Sequence, residues 1–182
     1  MTHTRITLPD HHPIRHPLLM LSALLFSLWI TPAMAQVEAG QQAPDFTLPG
    51  LQPGSPSFTL SELRGRTVYL DFWASWCAPC LRSLPLYNEL YHKYREQGLE
   101  IIGVNIDNPV EDGLDFLEET PLDFPTPSDP DGRIPELYGL IGMPTSYLIT
   151  PDGMVKLVHV GYRNGDIEII EEEIRKALAG NP

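Results

Sequence analysis

Beyond residue 35 the chain alternates between short apolar runs and amphipathic stretches, and their order predicts most of a fold. Thr67 to Ala74 is almost continuously apolar and aromatic, as in a strand covered on both faces, with Asp71 the one charge inside it. Leu99 to Ile106 reads as a second buried strand. Between them Leu81, Leu84, Leu90 and Tyr91, with Leu86, Tyr87 and Tyr94, recur at helical spacing to about Gln97, and Gly98 is the stop signal. Pro85 lies inside that stretch and predicts a kink about one turn past Cys80.

Val110 to Thr120 is a short acidic amphipathic helix closed by Pro121. The four prolines of residues 121–132 mark a loop, and Ile134 to Ile141 reads as another short helix. Thr145–Thr150 and Val155–Val160, joined by Pro151-Asp152-Gly153, predict an antiparallel hairpin. Asp166 to Ala179 is a terminal helix, apolar along Ile167, Ile170, Ile174, Ala177 and Leu178, with the run Glu171–Glu173 expected in solvent and Gly180 as its end. Residues 36–66 are rich in Pro, Gly and Ser. They hold two strand-like pieces, Asp45–Leu48 and Ser57–Leu60, read as an N-terminal hairpin, and a short helical turn over Ser61–Gly65. Two parallel strands followed by an antiparallel pair, with helices between, give an α/β fold with a mixed central sheet and helices on both faces.

The first 35 residues have a different pattern. A polar start carrying Arg5 and Arg15 precedes the apolar run Leu18–Ile30, and Ala33-Met34-Ala35 supplies the small residues of a cleavage site. This is the layout of a signal peptide, cleaved after Ala35 to release an exported protein. The alternative is an uncleaved anchor, but thirteen apolar residues fall short of the roughly 20 that span a bilayer. No cysteine near that point would take a lipid. What remains, residues 36–182, is the size of one domain with its own core, without repeats and read as a monomer.

Composition narrows the function. The 182-residue chain carries 12 basic and 24 acidic residues, and residues 36–182 keep 10 against 23, a net charge of about −13. Such a body repels nucleic acid and anionic lipid. His11, His12 and His16 lie in the leader, which leaves His92 and His159 as surface or packing residues. Cys77 and Cys80 are the only cysteines, too few for a disulfide framework or a four-ligand zinc site.

Their spacing and place carry the chemistry. Cys-x-x-Cys between a buried strand and a helix puts Cys77 at the helix N-terminus, where unpaired amides and the dipole favour a thiolate. Cys80 sits a turn further on, more covered and within reach of a mixed disulfide at the exposed Cys77. Pro79 pre-sets a helical φ. No cofactor and no metal is required, since the two sulfurs carry the electrons. Two other readings of the pair stand beside this one: a structural pair, or a copper(I) site completed by Met143, because soft sulfur ligands select that ion.

The segment Asp71-Phe-Trp-Ala-Ser-Trp-Cys-Ala-Pro-Cys80, with Pro85 downstream, resembles the active-site stretch of thioredoxins. Ala43–Leu48, Gly98–Asp107 and Gly142–Gly153, with the leader, resemble more narrowly the TlpA/ResA-like exported thioredoxins of the AhpC/TSA redoxin superfamily, over about residues 40–180. The resemblance implies a thioredoxin fold and an exported thiol-disulfide oxidoreductase that reduces disulfides in periplasmic proteins, in cytochrome c maturation or thiol upkeep, resupplied by a membrane electron donor. It gives Cys77 and Cys80 as the catalytic, redox-active disulfide. It makes Met143-Pro144-Thr145 the cis-proline loop that, with Trp76, meets the substrate chain, and it makes Asp71 the buried acid behind Cys80. Trp73 and Trp76 would pack around the pair and shield it. Many relatives of this type have Asn at the place of Asp71 and Glu at the place of Ser83, so any acid function here falls to Asp71. A thiol peroxidase, also within the superfamily, is the remaining alternative; Ser75-Trp76-Cys77 and Pro79 depart from its pattern.

Overall fold

The structure is a computed structural model and describes residues 36–180. The expected leader, residues 1–35, lies outside the described residues. Along the chain run β1 (Thr47–Leu48), β2 (Phe58–Thr59), β3 (Thr67–Trp73), α1 (Ala78–Tyr94), β4 (Leu99–Asn105), α2 (Glu111–Glu119), α3 (Arg133–Tyr138), β5 (Thr145–Ile149), β6 (Val155–Val160) and α4 (Asp166–Ala179). Single turns of 3₁₀ helix occupy Leu60–Leu63 and Arg95–Gln97. β1 and β2 form the N-terminal hairpin, each two residues long and so shorter than its apolar stretch.

The four longer strands make one sheet in the order β4-β3-β5-β6. β3 pairs parallel with β4 and antiparallel with β5, and β5 pairs antiparallel with β6, so the mixed sheet read from the sequence is the one formed. Every residue of β3 is buried. Because successive strand side chains point to opposite faces, β3 feeds two separate cores. Tyr69 and Trp73 join α1 and α4 on one face, where Leu84, Tyr87, Ile170 and Ile174 also pack. Val68, Leu70 and Phe72 join α3 and the N-terminal hairpin on the other, with Phe46, Leu48, Ile134 and Tyr138. Asp71 shares the α1 face by the same alternation.

One sequence expectation changes on α4, and α1 keeps Pro85 within its length. Helix α1 runs as one element from Ala78 to Tyr94 with Pro85 inside it, although Pro85 has no amide to give the Leu81 carbonyl. The glutamates Glu171 to Glu173 are half-buried and paired rather than simply solvated: Glu171 accepts from Lys93 and the Tyr94 hydroxyl, Glu172 from Arg175, and Glu173 from Lys176.

At the outer edge of β4 the proline-rich loop takes the place of a fifth strand. The Gly103 and Asn105 amides donate to the Pro125 and Pro127 carbonyls. On the far side, residues 40–42 reach only the start of β6, through Gly40 and Gln41 bonded to Val155. Among the described residues no helix is long and apolar enough to cross a membrane.

Candidate active site

Cys77 and Cys80 are joined as a disulfide where β3 hands over to α1, with their Cα atoms 5.3 Å apart. Cys77 is the N-cap of α1, and Pro79 occupies its first turn. In this oxidised form the sulfurs' surroundings differ from the sequence expectation. Cys77 is 5% exposed and Cys80 fully covered, so Cys77 is the more accessible of the two without being open. Trp73 and Trp76 also part company. Trp73 is buried, donates from Nε1 to the Gly103 carbonyl (3.1 Å) and packs on Phe116. Trp76, by contrast, is 65% exposed and presents its indole to solvent beside the disulfide instead of shielding it. The reason is local: Trp73 is the last residue of a strand covered on both faces, whereas Trp76 belongs to the turn after the strand has ended.

That turn is held from below by a residue the sequence reading passed over. Asp107, completely buried just after β4, accepts from the Ser75 amide at 2.9 and 3.1 Å and from the Ser75 hydroxyl at 2.8 Å. The Asn105 side-chain amide donates to Asp107 at 2.6 Å, and the Asp107 amide donates back to the Asn105 side-chain oxygen at 3.2 Å. A carboxylate with this many donors is bound firmly in place. It fixes the backbone two residues ahead of Cys77. Asn105, a polar residue closing a strand that is apolar from Ile101 to Val104, was the signal available in the sequence.

Asp71 is 1% exposed, on the α1 face of β3. Its Oδ1 accepts from the Ser146 hydroxyl at 2.6 Å, whereas Oδ2 is buried without a hydrogen-bond partner. Burial pushes its carboxyl up to about 8, and the Ser146 hydrogen bond pulls the other way. Tyr87, reaching in from α1, is raised by burial and by the charge of Asp71, and Tyr69 is raised chiefly by burial. The two hydroxyls lie 3.5 Å apart. Ser83, at the place where relatives carry Glu, is buried, with its hydroxyl donating to the Cys80 carbonyl at 3.0 Å.

The Met143–Pro144 peptide bond is cis. Met143 is half-buried and packs against the core cluster that holds both cysteines, while Pro144 and Thr145 are buried. The Pro144 carbonyl accepts from the Gly161 amide (2.7 Å), and the Thr145 hydroxyl donates to the Gly142 carbonyl (2.7 Å). Of the three loop residues expected to meet a substrate, Met143 is thus the one that reaches the surface. Among the described residues no group of three or more His, Cys, Asp or Glu is placed to hold a metal ion.

Comparison with known proteins agrees with this geometry. The family model for AhpC/TSA matches residues 39–158. The chain belongs to the AhpC/TSA family. Within that family it is similar to curated proteins named thiol-disulfide oxidoreductase ResA. One, from Geobacillus thermodenitrificans, is 37% identical over 146 residues, covering 79% of this chain and 83% of the relative. Another, from Bacillus thuringiensis subsp. konkukian, is 39% identical over 120 residues, covering 66% and 68%. A crystal structure from Chlorobium tepidum, assigned as a thiol:disulfide interchange protein DsbE, superposes with a TM-score of 0.75 at 45% identity, over 79% of this chain and 99% of that one. This AhpC/TSA member therefore has the thioredoxin fold that its sequence resemblance implied, with the N-terminal hairpin read from residues 36–66 added.

Proposed function

We propose that this thiol-disulfide oxidoreductase works as a reductase of disulfides in exported proteins, with Cys77 as attacking sulfur, Cys80 as resolving sulfur and Asp71 as the base. The observation that carries the reading is the Cys77–Cys80 disulfide at the head of α1, with a buried carboxyl on the face of β3 that α1 covers. In the dithiol form the N-terminus of α1 stabilises the Cys77 thiolate. That thiolate attacks one sulfur of a substrate disulfide. A Cys77–substrate bond forms and the other substrate sulfur leaves as thiolate. Cys80 then gives its proton to Asp71 and attacks Cys77; the internal disulfide closes and the second substrate sulfur departs with the electron pair. The protein pair is oxidised, and the substrate gains two electrons.

The substrate chain docks over Met143-Pro144-Thr145, with Met143 and the exposed Trp76 as its contacts. Residues 1–35 serve as the cleaved signal that brings the protein to the periplasm. There an oxidising surrounding requires a membrane donor to restore the dithiol. Cytochrome c maturation and the upkeep of particular thiols are the settings this chemistry suits.

The test is Cys80→Ser in the full chain, expressed in its source cell. Attack by Cys77 then stops at the mixed disulfide, and specific adducts that a reductant releases are expected on non-reducing gels; Cys77→Ser yields none. Absence of adducts from Cys80→Ser, together with a Cys77 thiol unreactive at neutral pH, would overturn the assignment.

A further inference from the structure

We infer that Ser146 is a positioning residue for the resolving step: its hydroxyl ties down one oxygen of Asp71, so that the other is held unpaired for the proton of Cys80. The inference rests on Asp71 being the base, as proposed above, and adds a residue to which no role has been given.

Four observations support it. Asp71 and Ser146 face each other directly across the β3–β5 ladder, so the contact is fixed by sheet register and not by a mobile loop. At 2.6 Å the bond has the length of a hydroxyl donating to a charged oxygen. Both residues are 1% exposed, so water does not compete for Oδ1. Finally, Oδ2 is buried and unpartnered. A protein interior rarely leaves a carboxyl oxygen in that condition without a use for it. With Oδ1 pinned, rotation of the carboxyl is blocked and Oδ2 keeps one direction.

The titratable groups around Asp71 are few. Among the described residues, Tyr69 comes from its own strand and Tyr87 from α1, while Gly103, opposite on β4, offers no side chain. No cation among the described residues acts on the carboxyl, whose proton affinity is set by burial upward and by Ser146 downward. Loss of the hydroxyl therefore raises it further, and less of the base is ionised at any given pH. Ser146 also follows the cis-proline loop within the same strand, so substrate docking and tether share one rigid element.

The experiment uses the reduced full chain mixed with excess of an aromatic nitrobenzoate disulfide. The first coloured thiolate released reports attack by Cys77, and the second reports closure by Cys80. The second rate, followed from about pH 6 to pH 10, is expected to rise with a midpoint near that of Asp71. Ser146→Ala should move that midpoint upward and slow the second phase several-fold at neutral pH, with the first phase unchanged. Ser146→Thr, which keeps a hydroxyl, should restore both. Ser146→Gly removes the same hydroxyl with a different packing change and carries the same expectation should the alanine variant not fold. A wild-type midpoint in the hydroxyl-free variants, with the midpoint abolished in Asp71→Asn, would overturn the role of Ser146 alone. A wild-type profile in Asp71→Asn would instead overturn the reading of Asp71 as the base.

Discussion

A carboxyl inside a sheet is costly in proportion to how far its proton affinity is displaced, and Asp71 shows this at the scale of one residue. Its ordinary value of 3.8 is raised to about 8 in the fold, chiefly by burial. The folded chain thus holds a proton that the unfolded chain has released over the interval between those values. The unfolded state binds fewer protons there, so stability falls as pH climbs through that interval and levels off above it. Asp71→Asn removes the difference. The variant is expected to be more stable than the parent at neutral pH, by on the order of a few kcal/mol, and the gain should vanish as pH drops toward 4. Urea unfolding at several pH values checks both statements, and a gain independent of pH would contradict them. The sequence already marked Asp71 as the odd residue of its strand, and its burial followed from the apolar neighbours. Ser146 was not legible in the same way. A serine in a buried strand carries no signal of its own, and its meaning depends on a register that joins residues 75 positions apart.

At the scale of elements, the strands and helices follow the apolar periodicities closely because each buries one defined face. β6 and α4 fall on the boundaries read from the sequence, whereas α2 loses a residue at each end and α3 starts one residue earlier and stops at Tyr138, where terminal turns lack partners. What periodicity does not reveal is how α2 meets β4. Gly113 packs so closely on the end of that strand that an added Cβ would lie 2.7–2.9 Å from the Asn105 side chain. That side chain cannot swing away without abandoning Asp107, and Asp107 braces Ser75 ahead of Cys77. Glycine to alanine in a helix ordinarily adds about 1 kcal/mol. Here Gly113→Ala is expected to destabilise instead, by about 1–3 kcal/mol, since a packed interior yields poorly to one extra carbon. Thermal melting reads the stability, and slower alkylation or disulfide exchange at Cys77 would show that the brace has been disturbed.

At the scale of the whole molecule, charge governs encounter. Residues 36–182 hold 10 basic and 23 acidic side chains, and an excess of one sign this large steers charged reactants over distances near the Debye length. The dicationic disulfide of a small aminothiol is therefore expected to react faster with the reduced protein than an anionic disulfide of similar leaving group. The advantage should shrink steadily as salt is raised from about 0.01 to 1 M. Stopped-flow rates at a series of ionic strengths decide it; equal salt dependence for the two reagents would show that the acidic surface lies away from the disulfide.

The proline-rich loop along β4 has a consequence of another kind. Exposed sheet edges are where copies of a protein recruit one another into growing aggregates. Here one edge is already occupied by the carbonyls of Pro125 and Pro127, and among the described residues no backbone bond is made to the outer edge of the sheet from Lys156 to Val160. A sheet with a single vacant side has nowhere to propagate: two copies that met along β6 would each consume the other's last free edge, and growth would end at the pair.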